Sequence, residues 1–223
     1  MNFVTDGERF FALTVSDVLG SESVCRRISF IVELSRTYGS LGALCVRNDS
    51  HSPDRFEEAV LLATTLWPGR LILQSDDMSA ISKSMLHAID RRPLILCTDY
   101  DSLSVADTAA SAFKSTLAVE CPDIRNAAES VSTVSCESLV SFLPAVNMKE
   151  CLENTEIFRR MKDVCTELRD VPYAVRVWSG EYAVAVATVA FVNGASMAVF
   201  DDLDEIGCET IDMLLKSLYH GWD

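Results

Sequence analysis

The sequence predicts an α/β protein that folds as a single (β/α)8 TIM barrel over residues 1–223. Eight short apolar segments alternate with eight segments of helical periodicity, which is the count that this barrel requires. Most of the apolar segments are continuous, as is typical of parallel strands that are covered on both faces. A length of 223 residues also suits one domain, because α/β barrels often run to about 200–250 residues. A doubly wound open sheet would also alternate, but usually with fewer strands.

The predicted strands are short runs rich in Leu, Val, Ile and Ala, with little period-two alternation. They are Phe11–Val15, Ala43–Val46, Leu71–Leu73, Leu94–Cys97, Thr116–Val119, Leu139–Leu143, Tyr173–Val177 and Ser196–Phe200.

Helix signals lie between these runs. Ser52 and Pro53 predict a helix start, since serine caps a helix and proline tolerates its first position. Asn147 and Glu150 form a similar signal, a capping-box-like pair. The predicted helices are Ser21–Tyr38, one from Ser52 onward, Asp77–Asp90, those beginning near Ser102, Pro122 and Asn147, one from after Ser179 to Asn193, and Ile206–Tyr219.

The composition narrows the classes of partner. The chain has 33 acidic and 19 basic residues and a net charge of −14, which argues against nucleic acid and anionic membranes as partners. The N-terminus lacks a signal-peptide pattern and no stretch reads as a membrane span, so we expect a cytoplasmic protein. The eight cysteines include no CxxC pair, so we expect free thiols and no metal site.

Acidic residues follow many of the predicted strands, where barrels carry their chemistry. An Asp at such a junction often caps the next helix, and we expect this of Asp17, Asp49, Asp77, Asp101 and Asp202. Asp76, Asp99 and Asp201 fall closer to strand ends. We therefore interpret these three as candidate ligand-binding residues.

Four further strand-end residues complete the predicted ligand site, namely Arg47, Asn48, Gln74 and Trp178. Arg47 either binds a phosphate or carboxylate, or neutralises its acidic neighbours. Trp178 either offers a stacking surface or packs on the barrel. No catalytic residue is predicted, because the sequence shows no histidine cluster, no Ser-His-Asp set, no strand-end lysine and no phosphate-binding loop motif.

Several stretches, in order along the chain, resemble a known family. They are residues 43–60 (ALCVRNDSHSPDRFEEAV), residues 71–98 with its DRRPLILCT ending, residues 148–160 (MKECLENTEIFRR), residues 181–205 and the opening Phe3-Val4-Thr5. This pattern is similar to the TIM-barrel domain of the corrinoid iron–sulfur protein. The better match is its large (gamma) subunit, from the carbon monoxide dehydrogenase/acetyl-CoA synthase complex, which methanogens have as acetyl-CoA decarbonylase/synthase.

The resemblance implies a barrel without the rest of that subunit. The family's iron–sulfur and cobalamin-binding domains have no counterpart in the 223 residues, so no intrinsic cofactor is implied. The sequence also departs from the family at Phe142-Leu143-Pro144-Ala145, where an Asp-Pro-Gly turn is expected, and at Leu96-Cys97-Thr98-Asp99.

Three functions remain open at this point. The first is a non-catalytic binding or assembly partner in corrinoid-dependent methyl transfer, docked to another barrel subunit or to a corrinoid or methyl-transfer protein. The second is a pterin-binding, methyltransferase-like enzyme that holds methyl-tetrahydrofolate or methyl-tetrahydromethanopterin through strand-end polar groups. The third is a degenerate barrel that has lost its ligand.

Overall fold

The predicted barrel is confirmed. A computed structural model describes residues 3–4, 7–121, 124–135, 139–144, 152–169, 171–178 and 180–220. In that part of the chain eight parallel strands follow one another in chain order and close into a barrel. The strands are β1 Phe10–Ser16, β2 Leu41–Arg47, β3 Arg70–Ser75, β4 Leu94–Cys97, β5 Thr116–Glu120, β6 Leu139–Pro144, β7 Tyr173–Val177 and β8 Met197–Phe200. Closure comes from pairing of β1 with β8, in which Phe10 lies opposite Met197.

The helices lie between the strands in sequence and cover the barrel from outside. They are α1 Ser21–Thr37, α2 Pro53–Leu66, α3 Met78–Ala88, α4 Leu103–Phe113, α5 Ile124–Thr133, α6 Glu156–Arg169, α7 Ala183–Val192 and α8 Glu205–His220. Ser52 caps α2 as predicted, since its side chain accepts a hydrogen bond from the backbone of Arg55. Asn147 and Glu150, the predicted cap of the sixth helix, lie outside the described residues.

Two apolar layers hold the barrel together. The larger one joins the outward side chains of the strands to the inner faces of the helices, such as Val24, Ile28 and Ile31 of α1. The smaller one fills the barrel interior and includes Ala12, Ala43 and other small or apolar side chains.

The N-terminal end of the barrel is filled. The rings of Phe3 and Phe10 lie 6.1 Å apart there. The guanidinium group of Arg70 lies 4.8 Å from the Phe10 ring and pairs with Glu8 at 2.7 Å. Because aromatic and cationic side chains occupy this end, a ligand has to enter the barrel from the C-terminal end.

No helix in the described part of the chain is long and apolar enough to cross a bilayer. Cys25, Cys45, Cys97 and Cys208 are free thiols, whereas Cys136 and Cys151 lie outside the described residues.

Candidate functional site

The inner face of the barrel changes from apolar to polar along its axis. Successive residues of a strand point to opposite faces, so every second residue points inward. On β2, Arg47 therefore follows Cys45 of the interior cluster, and on β3, Gln74 follows Ile72. Arg176 on β7 follows the interior residue Ala174 in the same way. Polar side chains from separate strands thus meet at the C-terminal mouth of the barrel.

An open cleft of about 150 Å³ lies at this mouth. Small-molecule sites usually measure about 300–1,000 Å³, so this cleft can enclose only part of a small ligand. The cleft is lined by Arg47, Asn48, Asp49, His51, Gln74, Ser75, Asp76, Thr98 and Arg176. The structure therefore brings together four of the predicted site residues, namely Arg47, Asn48, Gln74 and Asp76.

Asn48 carries an unpaired buried oxygen. The residue is only 4% exposed, and its Nδ2 donates to Oγ of Ser75 at 2.9 Å. Its Oδ1 is buried and has no hydrogen-bond partner among the described residues. A buried acceptor without a donor costs about 1–3 kcal/mol. At the wall of the cleft, this oxygen is placed to accept a hydrogen bond from a bound molecule.

The Gln74 amide has a hydrogen-bond partner for its oxygen but none for its nitrogen among the described residues. The residue is 5% exposed, and its Oε1 accepts a weak hydrogen bond from the Cys45 thiol, with a sulfur–oxygen distance of 3.7 Å. Burial raises the pKa of Cys45 to about 12, so the thiol keeps its proton and remains a donor. No described residue accepts a hydrogen bond from Nε2 of Gln74, which leaves this amide as a donor at the cleft.

Arg47 lies in an internal ion network, the second of its two predicted roles. Its Nε lies 2.8 Å from Asp49 and its Nη1 lies 2.5 Å from Asp201. Burial opposes the charge of Arg47, but the hydrogen bond that Arg47 donates to Asp49 and the charge of Asp201 leave the pKa of Arg47 above its usual value. Asp49 also accepts a hydrogen bond from Ser16. Asp201, predicted to bind a ligand, is thus the partner of Arg47.

Arg176 forms a second ion pair on the opposite side of the mouth. It is 7% exposed and lies 3.2 Å from Glu120. Burial raises the pKa of Glu120, although Arg176 opposes that shift. Arg176 was missed as a site residue in the sequence. The signal was available, because an arginine in the apolar run YAVRV, two positions after an inward alanine, points into the barrel.

Trp178 lies beside Arg176 and does not line the cleft. The Arg176 guanidinium lies 4.1 Å from the centre of the Trp178 ring, a cation–π contact. This geometry favours the packed role of Trp178 over the stacking role.

His51 and Asp76 lie at the rim. Nδ1 of His51 is 3.3 Å from the Asp76 carboxylate, and the two side chains are 72% and 51% exposed. His51 adopts a left-handed backbone, with φ of 52°. Asp76 therefore reaches the cleft as predicted, with a histidine beside it.

Asp99 has a capping role instead of a place in the cleft. Its carboxylate accepts hydrogen bonds from the backbone of Asp101 at 3.1 Å and from Oγ of Ser102 at 2.8 Å. These contacts fix the short 3-10 turn at Tyr100–Ser102, ahead of α4. Sequence position alone could not separate this role from ligand binding.

Of the five predicted capping aspartates, four need correction and one is confirmed. Asp77 caps α3, since it accepts from the backbone of Ser79 at 2.8 Å. Asp17 is 2% exposed and instead accepts from the backbone of Ser50 at 2.8 Å, which ties the β1 and β2 loops together. The prediction was also wrong for the other three aspartates. Asp49 pairs with Arg47, and Asp101 donates its backbone N–H to Asp99. Asp202 pairs with Arg27, while Asp204 caps α8.

The mouth offers hydrogen-bonding groups rather than a metal centre. Among the described residues, no group of three or more His, Cys, Asp or Glu side chains is arranged to hold a metal ion. The arrangement can present a buried acceptor, an amide donor and a rim carboxylate to one flat polar ligand.

Comparison with known proteins gives a fold. No protein-family model matches the sequence, and no curated protein matches it. Solved structures do match. A dihydropteroate synthase from Coxiella burnetii in complex with pteroic acid superposes with a TM-score of 0.71 and 13% identity, over 95% of this chain and 94% of that one. The chain has the fold of the dihydropteroate synthases.

Two further structures give the same result. The dihydropteroate synthase of Xanthomonas albilineans, in complex with indole-2-carboxylic acid and 6-chloroguanine, has a TM-score of 0.68 and 12% identity over 94% of this chain and 91% of that one. The Thermus thermophilus enzyme in complex with 6HMPPP has a TM-score of 0.65 and 12% identity, over 96% and 94%. At these identities the likeness shows the barrel fold alone.

Proposed function

We propose that the cleft binds the amino-pyrimidinone edge of a pterin-type ring. The observation that carries this proposal is the unpaired Oδ1 of Asn48. A pterin presents an exocyclic amino group and a ring N–H on one edge, and both are donors that a buried amide oxygen can accept. A ligand of this kind would give Asn48 the partner that the described residues do not provide.

The neighbouring groups complement the same edge. Nε2 of Gln74 is a donor that suits the ring carbonyl, and the Asp76 carboxylate at the rim is a second acceptor. Two acceptors and one donor are the groups that an amino-pyrimidinone edge requires, since that edge presents two N–H donors and one carbonyl. The flat ring also fits an open cleft between β2, β3 and β4.

The fold comparison supports this ligand class. Two of the dihydropteroate synthases with this fold are described with pteroic acid and with 6-chloroguanine, which both carry a flat nitrogen heterocycle. The support is for the pterin hypothesis from the sequence, including the methyl-tetrahydrofolates. The corrinoid-protein partner, the other sequence-based hypothesis, gains no support from these comparisons and remains a prediction.

Isothermal titration calorimetry tests the proposal. Wild-type protein is titrated with 6-hydroxymethylpterin and with 5-methyl-tetrahydrofolate, and saturable binding is expected for at least one of them. Asn48→Ala is expected to weaken binding at least about tenfold, the effect of losing one hydrogen bond of about 1.4 kcal/mol. Gln74→Glu replaces the amide donor by an acceptor of the same shape and is expected to weaken binding similarly.

The matched control is Asn193→Ala. Asn193 follows α7 at the opposite end of the barrel, where its Nδ2 donates to the Val189 carbonyl. This variant removes the same side chain but should leave ligand affinity unchanged. Absence of both binding heat and thermal stabilisation at millimolar ligand in the wild type would remove the proposal.

A further inference from the structure

The mouth of the barrel has more carboxylates than cations. Among the described residues, its charged side chains are the carboxylates of Asp49, Asp76, Glu120 and Asp201 and the guanidinium groups of Arg47 and Arg176. The described residues that line the cleft include no lysine. This part of the mouth therefore has four carboxylates and two guanidinium groups.

Arg47 is held at two points of its guanidinium group. Asp49 accepts from Nε at 2.8 Å and Asp201 accepts from Nη1 at 2.5 Å. The side chains of Arg47 and Asp201 are 19% and 16% exposed, so water screens the pair only in part. A phosphate could bind Arg47 through two nitrogen atoms only if it displaced a carboxylate that is already bound there.

Arg176 also contacts other side chains through its guanidinium group. Glu120 lies 3.2 Å from its Nη1, and Trp178 covers a face of the guanidinium group. Bidentate phosphate binding needs a free guanidinium edge. Each arginine at the mouth thus already has its own carboxylate partner.

We infer that this site selects uncharged or cationic pterin-type ligands and rejects those that carry a phosphate or diphosphate ester. The inference rests on the proposed function, because it names the charge class of the ligand for the same cleft. The physical reason is repulsion between the ester and the excess of carboxylates among the described residues of the mouth, where each guanidinium group is already paired with a carboxylate.

The test compares 6-hydroxymethylpterin with its own diphosphate ester, two probes that differ in charge and share the ring. By calorimetry the wild type is expected to bind the uncharged pterin at least about tenfold more tightly, because several like charges meet in a partly buried site. Raising the salt concentration from about 0.05 M to about 0.5 M should narrow this gap, since screening shortens the range of the repulsion.

Asp201→Asn tests the role of Arg47. The variant removes the charge that holds Nη1, so the ratio of the two affinities is expected to shift about tenfold toward the diphosphate. Asp202→Asn is the matched control, because it removes one charge from the next residue, which is 64% exposed and pairs with Arg27. Asp49→Asn, which releases Nε instead, serves as a second variant if Asp201→Asn does not fold.

The outcomes separate the two proposals. Wild-type protein that binds the diphosphate as tightly as the uncharged pterin would overturn the charge selection and leave the pterin site standing. Binding of neither probe would overturn both. An unchanged ratio in Asp201→Asn and in Asp49→Asn would show that Arg47 is not what decides selection.

Discussion

Asn48→Ala separates a binding residue from a structural one. In the folded chain the Asn48 amide donates to Ser75 at 2.9 Å, while its oxygen is buried with no partner among the described residues. The substitution removes both the satisfied and the unsatisfied half of the amide. The change in the free energy of unfolding is therefore set by two opposing effects. The variant loses the hydrogen bond to Ser75, but it no longer carries the desolvation cost of the unpaired oxygen.

The two halves can be estimated separately. A typical hydrogen bond contributes about 0.5–1.5 kcal/mol, and a buried unpaired acceptor costs about 1–3 kcal/mol. Without ligand, the free energy of unfolding of Asn48→Ala should therefore lie between about 0.5 kcal/mol below and about 2.5 kcal/mol above that of the wild type. Ligand affinity should fall at least about tenfold.

Urea denaturation with and without ligand measures both quantities. At a ligand concentration of about 100 times the wild-type dissociation constant, the wild type should gain about 2.7 kcal/mol of stability. At the same concentration, a variant that binds tenfold more weakly should gain only about 1.4 kcal/mol. Asn193→Ala, at the other end of the barrel, should gain as much as the wild type.

The reasoning would be refuted by the opposite pair of results. If Asn48→Ala lowers the free energy of unfolding by more than about 2 kcal/mol and keeps wild-type affinity, then Asn48 is a structural residue. The unpaired oxygen would then have no bearing on a ligand.

Three more predictions concern the residues around the site. Asp77→Ala should lower the free energy of unfolding at pH 7 by about 1 kcal/mol, because an N-cap is lost. Hydrogen bonds from the side chain and backbone of Ser79 lower the pKa of Asp77 below 3.8. In urea titrations, the loss in free energy of unfolding should therefore be complete above that pH. It should vanish as the pH falls through the lower pKa that Asp77 has in the folded state. Burial raises the pKa of Cys45 to about 12, so mass spectrometry after iodoacetamide treatment at pH 7 should find the partly exposed Cys25 labelled and Cys45 unlabelled. Arg176→Met should lower the free energy of unfolding at pH 7 by about 3 kcal/mol, because Glu120 is left as an unpaired buried charge. This loss should become smaller at lower pH, since Glu120 then takes up a proton. A loss that does not change with pH would contradict the prediction.

The strands were the most predictable part of the chain. For β4 and β7 the predicted and observed bounds are the same, Leu94–Cys97 and Tyr173–Val177. Strands covered on both faces consist almost entirely of apolar residues, so the apolar run and the strand coincide. Helix ends were less predictable. The third helix stops at Ala88 rather than Asp90, because a 3-10 turn follows and ends at Arg92 in a left-handed conformation with φ of 46°.

The partners of the polar residues were not predictable from local sequence. Asp17 has the position of a helix cap, yet it accepts from Ser50, which lies 33 positions away. Arg47 finds Asp201 across the β1–β8 closure, 154 positions away. Local spacing indicates only that an Asp is in a position to cap its own helix. The closure of the barrel determines which distant loop the Asp side chain contacts. Arg176 was different, because it was missed although alternation along its strand was enough to place it on the inner face.

The position of the buried charges argues for a binding role. Replacing a buried ion pair by apolar side chains is often neutral or stabilising, so such pairs are weak evidence for stability. Two positions earlier on the same strands, the inner face carries Cys45 and Ala174 in an apolar cluster. The charged layer with Arg47 and Arg176 comes only where the barrel opens, and there it also borders the unpaired oxygen of Asn48. Stability alone would favour apolar residues in this layer too, so its charges are better explained by what enters the mouth.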